Sequence, residues 1–408
     1  MLYCAKFSGR IIDTPFNAHS HERNAMNNNF YNNGGYQYDN PFTNEPQYDF
    51  YDELIVKDAR KATSRSMLSL VLYMLIGYAA TLAIIFGVQI VIAGLMNDAA
   101  LYERIASSIY YQLLISTLPM YAFGIPVVLI TLRKIPKKPQ PIEKPKMRFV
   151  EWLVMIPIAE AAMLIGSYIG TYVSEVYSFM LGVENNDTVS DLIAETPLPL
   201  LFVITVILAP IFEELIFRKL LLDRLSVYGS KFAIIVTAVA FGLFHGNFDQ
   251  LFYAALVGVV LGYVAIKSGN WLYSVGIHMV MNFIGGILPV FVNDSYTRVY
   301  EWYESADLSE YATIPADLMA DAAIVTYYFA LIGSLVIGGV VLFVIGIRKR
   351  WFRIDERMSV RIPKKRTAGV IFRGVGTILF LVMSGILIMI DLFKPLLEQA
   401  ASSGGMGV

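Results

Sequence analysis

Residues 67–95 read MLSLVLYMLIGYAATLAIIFGVQIVIAGL, an uncharged apolar run longer than the ~20 residues that a helix needs to cross the hydrocarbon core of a bilayer. That length decides the solvent, and the rest of the chain repeats it. Further apolar stretches occupy 109–132, 149–180, 199–222, 232–245, 251–266, 271–292, 322–347 and 368–392. The expected fold class is therefore all-α: a polytopic transmembrane helical bundle of about eight to nine spans. The stretches 232–245 and 251–266 are short, and are expected to be buried behind their neighbours or partly re-entrant.

Composition agrees. Of the 408 residues 56% are hydrophobic and only 16% charged, against about 25% charged in soluble domains. A net charge of -1 excludes the overall basic character of a nucleic-acid binder. The single cysteine, Cys4, removes any intramolecular disulfide framework and any cysteine-rich zinc site. Residues 1–56, rich in Asn, Tyr, Asp and Gly without an apolar period, are expected to be a disordered polar tail. The segment 57–395 is expected to be the helical bundle, and 396–408 a short C-terminal tail.

Charge is segregated between the connecting segments. Those at 57–67, 133–148 and 348–373 hold 21 of the 32 basic residues, whereas 293–321 has seven acidic residues against the single Arg298, and Glu184, Asp187, Asp191 and Glu195 share a segment without a base. By the positive-inside bias this predicts a multi-pass protein of the cell membrane, with nine spans, a cytoplasmic N-terminus and basic loops against the bilayer's anionic lipid. Residues 1–10 lack the apolar run of a signal peptide, as a cytoplasmic tail requires.

A charge at membrane depth costs about 2.5–3.5 kcal/mol on insertion scales, so intramembrane ionisable groups mark function or pairing. They concentrate in one region. The fourth stretch contains Ala209-Pro210-Ile211-Phe212-Glu213-Glu214-Leu215-Ile216-Phe217-Arg218; the fifth ends Phe241-Gly242-Leu243-Phe244-His245, followed by Gly246-Asn247; the seventh holds His278-Met279-Val280-Met281-Asn282. Of four histidines, His19 and His21 lie in the tail, leaving His245 and His278 in membrane stretches. Glu214 and Arg218, four apart, share a helical face and can pair, whereas Glu213 points elsewhere and is free to act as a base. Counting from the turn expected at Gly229, Glu213 and His245 stand at the same height, roughly 24 Å along adjacent antiparallel helices. His278 and Asn282 also share a face. Glu160 and Asp391, isolated in their spans, read as interhelical hydrogen-bonding groups. A polar cavity bounded by the fourth, fifth and seventh spans is expected, lined by Glu213, His245, Asn247, His278 and Asn282.

The motifs Glu213-Glu214-x-x-x-Arg218, Phe241-x-x-x-His245 and His278-x-x-x-Asn282 resemble the three signatures of the CPBP family, which includes CAAX prenyl endopeptidases and bacteriocin-processing and bacteriocin-immunity proteins. The resemblance covers about 197–289. It implies intramembrane peptide-bond hydrolysis, with Glu213 activating water, His245 holding that water, His278 and Asn282 stabilising the oxyanion, and Glu214 with Arg218 bracing the site. Phe241 would be a packing position. The implied partner is a membrane-associated or leader-bearing peptide. No metal is expected; the alternative is a zinc held by Glu213, His245 and His278, although the helical His-Glu-x-x-His motif is absent. Two other readings of the same residues are a catalytically silent scaffold or immunity protein, and an ion-coupled transporter, for which no inverted repeat is found.

Overall fold

The computed structural model describes residues 48–136, 147–183, 196–306, 314–354 and 360–404, and among these it contains helices and no strand. Nine apolar helices organise it. Eight are long and apolar enough to cross a membrane: α1 (Asp52–Leu95), α2 (Ile109–Leu132), α3 (Phe149–Leu181), α4 (Leu198–Tyr228), α6 (Phe248–Ser268), α7 (Leu272–Ser305), α8 (Met319–Arg348) and α9 (Val375–Leu396). The ninth, α5 (Ser230–Phe244), has 15 residues. At 1.5 Å per residue it is roughly 22 Å long, less than the ~30 Å hydrocarbon core.

Several expected boundaries move. The sixth stretch, expected to be short, runs Phe248–Ser268 and is long enough to cross, because polar Asn247 caps it: its Oδ1 accepts from Gln250 N at 2.8 Å. Only α5 is short. Residues 48–56, assigned to the tail by composition, begin the helix that leads into α1, and Val56 is buried in the main core. The rest of that tail, with His19 and His21, lies outside the described residues, as do Glu184, Asp187, Asp191 and Glu195. Much of the acidic segment 293–321 is helix as well. α7 continues to Ser305, and Arg298 Nε donates to Asp321 Oδ2 at 2.8 Å, with Ser295 Oγ donating to Oδ1, so the segment's one base is tied to the start of α8.

Glycines let backbones meet. A Cβ at Gly166 of α3 would strike the backbone of Phe252 and Tyr253 in α6, and one at Gly242 of α5 would strike the Leu251 carbonyl. Such small-residue contacts are how helices associate where lipid supplies no hydrophobic drive. The same register sets the depth of the α5–α6 turn. Gly170 of α3 lies against Phe248 and Asp249, the first turn of α6, and Ser174 Oγ donates to Asp249 Oδ1 at 2.8 Å. From Gly170, α3 continues to Leu181, another ~16 Å. The turn carrying His245, Gly246 and Asn247 is thus recessed below the end of its neighbour.

Candidate active site

α4 is not a uniform helix. Ala209–Glu214 is α-helical, but Phe202–Leu208 before it and Leu215–Leu222 after it are π-helical. Pro210 has no N–H to give to the ladder, and the wide turn ends beside it. π segments inside helices recur at functional sites because they re-aim the side chains around them.

The re-aimed carboxylates meet one imidazole. His278 Nδ1 is 3.1 Å from Glu214 Oε1, and His278 Nε2 is 3.7 Å from Glu213 Oε2. Glu214 Oε2 lies 3.1 Å from Arg218 Nε, and both side chains of that pair are wholly buried. Glu213 differs, with 22% of its side chain accessible. One carboxylate is therefore locked between a guanidinium and an imidazole, and the other is reachable. A carboxylate accepts only, so Nδ1 of His278 carries a hydrogen and Nε2 is the nitrogen turned towards Glu213.

Phe241 holds the components apart. The Arg218 guanidinium lies 4.7 Å from the Phe241 ring centre, and the same ring packs edge-on against His245 at 5.0 Å and His278 at 5.9 Å. Arg218 Nη1 and Nη2 are buried without a hydrogen-bond partner among the described residues, so aromatic faces supply part of their stabilisation.

The height expected for Glu213 and His245 is matched by ring packing. Phe217 and Phe241, each one turn nearer Gly229 than Glu213 and His245, are in edge contact at 4.9 Å. His245 ends α5, and its Nδ1 donates to the Phe241 carbonyl at 2.8 Å. A carbonyl cannot donate, so Nδ1 carries the hydrogen and the neutral ring keeps a lone pair on Nε2. Gly246 follows with φ +73°, the left-handed conformation that stops a helix abruptly.

Two residues expected to line the cavity have other engagements. Asn247 caps α6, and its Nδ2 donates to the His245 carbonyl at 3.3 Å. Asn282 Nδ2 donates to the Thr205 carbonyl at 2.8 Å, tying α7 to the first π segment of α4; an amide has two N–H groups, so one donor remains. Three helices were expected to bound the site, but α1 and α2 also reach it. Tyr121 of α2 packs on Phe212 with ring centres 4.3 Å apart, and Tyr73 of α1 packs 5.3 Å from Phe244. Sequence reading missed both. The one signal was a tyrosine at mid-span, away from the interfacial belts where tyrosine concentrates.

The donors do not form a metal cage: among the described residues no three His, Cys, Asp or Glu side chains are grouped so as to hold a metal ion. His245 turns Nδ1 to its own helix and His278 turns Nδ1 to Glu214, which leaves Nε2 as the second nitrogen of each ring.

Residues 195–284 match the family model described as type II CAAX prenyl endopeptidase, Rce1-like. A segment of 109 residues, 26% of this chain, is 28% identical to the Bacillus subtilis (strain 168) protein named "Putative membrane peptidase YdiL" and covers 45% of it. The chain thus spans under half the length of that relative. No solved structure matches the chain.

Proposed function

We propose that this chain, which carries a CPBP-family core over residues 195–284, is an intramembrane endopeptidase in which Glu213 activates the attacking water. The supporting observation is the unequal treatment of two adjacent carboxylates. Glu214 is buried and charge-paired, while Glu213 is accessible beside an imidazole nitrogen.

Water placed between Glu213 and the free Nε2 of His245 loses a proton to Glu213 as its oxygen bonds to the scissile carbonyl carbon. In this step His278 must carry a hydrogen on Nε2 as well as on Nδ1, and that Nε2–H and the second amide N–H of Asn282 donate to the oxyanion. The C–N bond then breaks, and the proton held by Glu213 passes to the leaving nitrogen. Glu214 and Arg218 keep His278 oriented as a positioning pair. No step is routed through a metal. The substrate is a peptide segment of a membrane-associated or leader-bearing protein, reaching the recessed α5–α6 turn in a multi-pass cell-membrane protein whose N-terminus and basic loops face the cytoplasm.

The test compares N- and C-terminal peptide fragments in membranes of cells carrying the intact protein or Glu213→Gln at equal expression. Fragments that vanish in the variant are the expected result. An unchanged fragment set would sink the protease reading in favour of a silent scaffold.

A further inference from the structure

The family match begins at residue 195, yet two groups beside Glu213 come from far upstream. Tyr121 sits in the π-helical turn Met120–Gly124 of α2, its ring against Phe212, the residue before Glu213. Tyr73 is 2% exposed, its ring against Phe244, the residue before His245. Tyr73 also covers Gly124, one turn beyond Tyr121, where a Cβ would overlap its ring carbons. The absence of a side chain at Gly124 lets the Tyr73 ring lie against the helical turn that carries Tyr121. Both hydroxyls lie within electrostatic range of the Glu213 carboxylate, and Tyr73 within range of Tyr121. Tyr73 is buried and Tyr121 partly so, and a phenol drawn away from bulk water favours a nearby acceptor. Glu213 is the one carboxylate whose charge acts on both phenols.

We propose that Tyr73 and Tyr121 are positioning residues of the site, whose hydroxyls donate to the Glu213 carboxylate and hold it towards the attacking water. Glu213 is then fixed from both sides, by His278 of α7 and by phenols of α1 and α2, and the site extends beyond the segment that carries the motifs. The role in cleavage rests on the protease reading; the contact itself does not.

The experiment uses the full chain in lipid nanodiscs, with Tyr73→Phe, Tyr121→Phe and the double variant. Each keeps the ring that packs on Phe212, Phe244 or Gly124. Infrared difference spectra, intact minus Glu213→Gln, isolate the Glu213 carboxyl bands. These bands should shift in each phenylalanine variant and further in the double, and bands unmoved in all three overturn the proposal whether or not the chain cleaves anything. In cells, fragments that depend on Glu213 should appear about 10- to 100-fold more slowly in each variant, the loss of one hydrogen bond to a charged group. Thermal stability should stay unchanged, which separates positioning from packing. Shifted bands with undiminished cleavage overturn the positioning role. Should no fragment depend on Glu213, the protease reading fails alone and the infrared result still decides the contact.

Discussion

The wholly buried Glu214–Arg218 pair sets a measurable asymmetry. Its Nε–Oε2 separation is 3.1 Å, neither side chain touches solvent, and Glu214 is bound a second time by His278. Removing one partner of a buried pair strands the other charge and costs about 3–5 kcal/mol. Arg218→Met strands Glu214 with only the His278 imidazole and the Ser274 hydroxyl, neither a fixed cation, so most of the penalty applies and the unfolding equilibrium should move by on the order of 10²–10⁴-fold. Glu214→Gln is milder. Arg218 keeps the Phe241 face at 4.7 Å and the Phe217 ring at 5.9 Å, worth about 2 kcal/mol when desolvated, and a glutamine oxygen can still accept from His278. The double variant Glu214→Gln/Arg218→Met removes both charges and should be more stable than Arg218→Met alone, with a coupling of about 2 kcal/mol or more. Equilibrium unfolding in mixed micelles, followed by tryptophan fluorescence for the four proteins of the cycle, supplies the numbers. Single effects that add to within about 0.5 kcal/mol would show that the two groups are energetically independent, and would refute the pairing argument.

His245→Ala and His278→Ala should each lower production of Glu213-dependent fragments by about 100-fold or more while membrane insertion is retained; wild-type cleavage by either would remove that histidine from the mechanism. A water activated by Glu213 without a fixed metal predicts that cleavage by purified protein survives thorough chelation, and zinc bound at one per chain and lost in His245→Ala would overturn this. Gly166→Leu should abolish recovery of folded protein, because its side chain would enter the backbone of Phe252 and Tyr253, whereas Gly385→Leu, facing open space on α9, should be tolerated. Equal yields of the two in detergent extracts would contradict the α3–α6 packing.

Local features were legible in the chain because their causes are local. The uncharged run 67–95 and its successors carry their own evidence of helix length, and the spacing of Glu214 and Arg218 places them on one face before any neighbour is known. Equal residue counts on either side of Gly229 likewise put Glu213 and His245 at one height, and the Phe217–Phe241 contact has that register. A bilayer forces every backbone group into a helix, so arithmetic along the axis survives folding. Rotation about the axis and choice of neighbour do not follow from it. No period in residues 48–132 tells that Tyr73 and Tyr121 pack on Phe244 and Phe212; that contact exists only in the assembled bundle, where the Tyr73 ring lies over Gly124. Nor does Asn282 reveal in advance that one of its amide hydrogens goes to Thr205. The depth of His245 below the end of α3 was equally hidden, since it depends on Gly170 meeting the first turn of α6. These contacts join segments many tens of residues apart, and between apolar helices in lipid it is close shape fit at small residues, set only in the assembled bundle, that selects them.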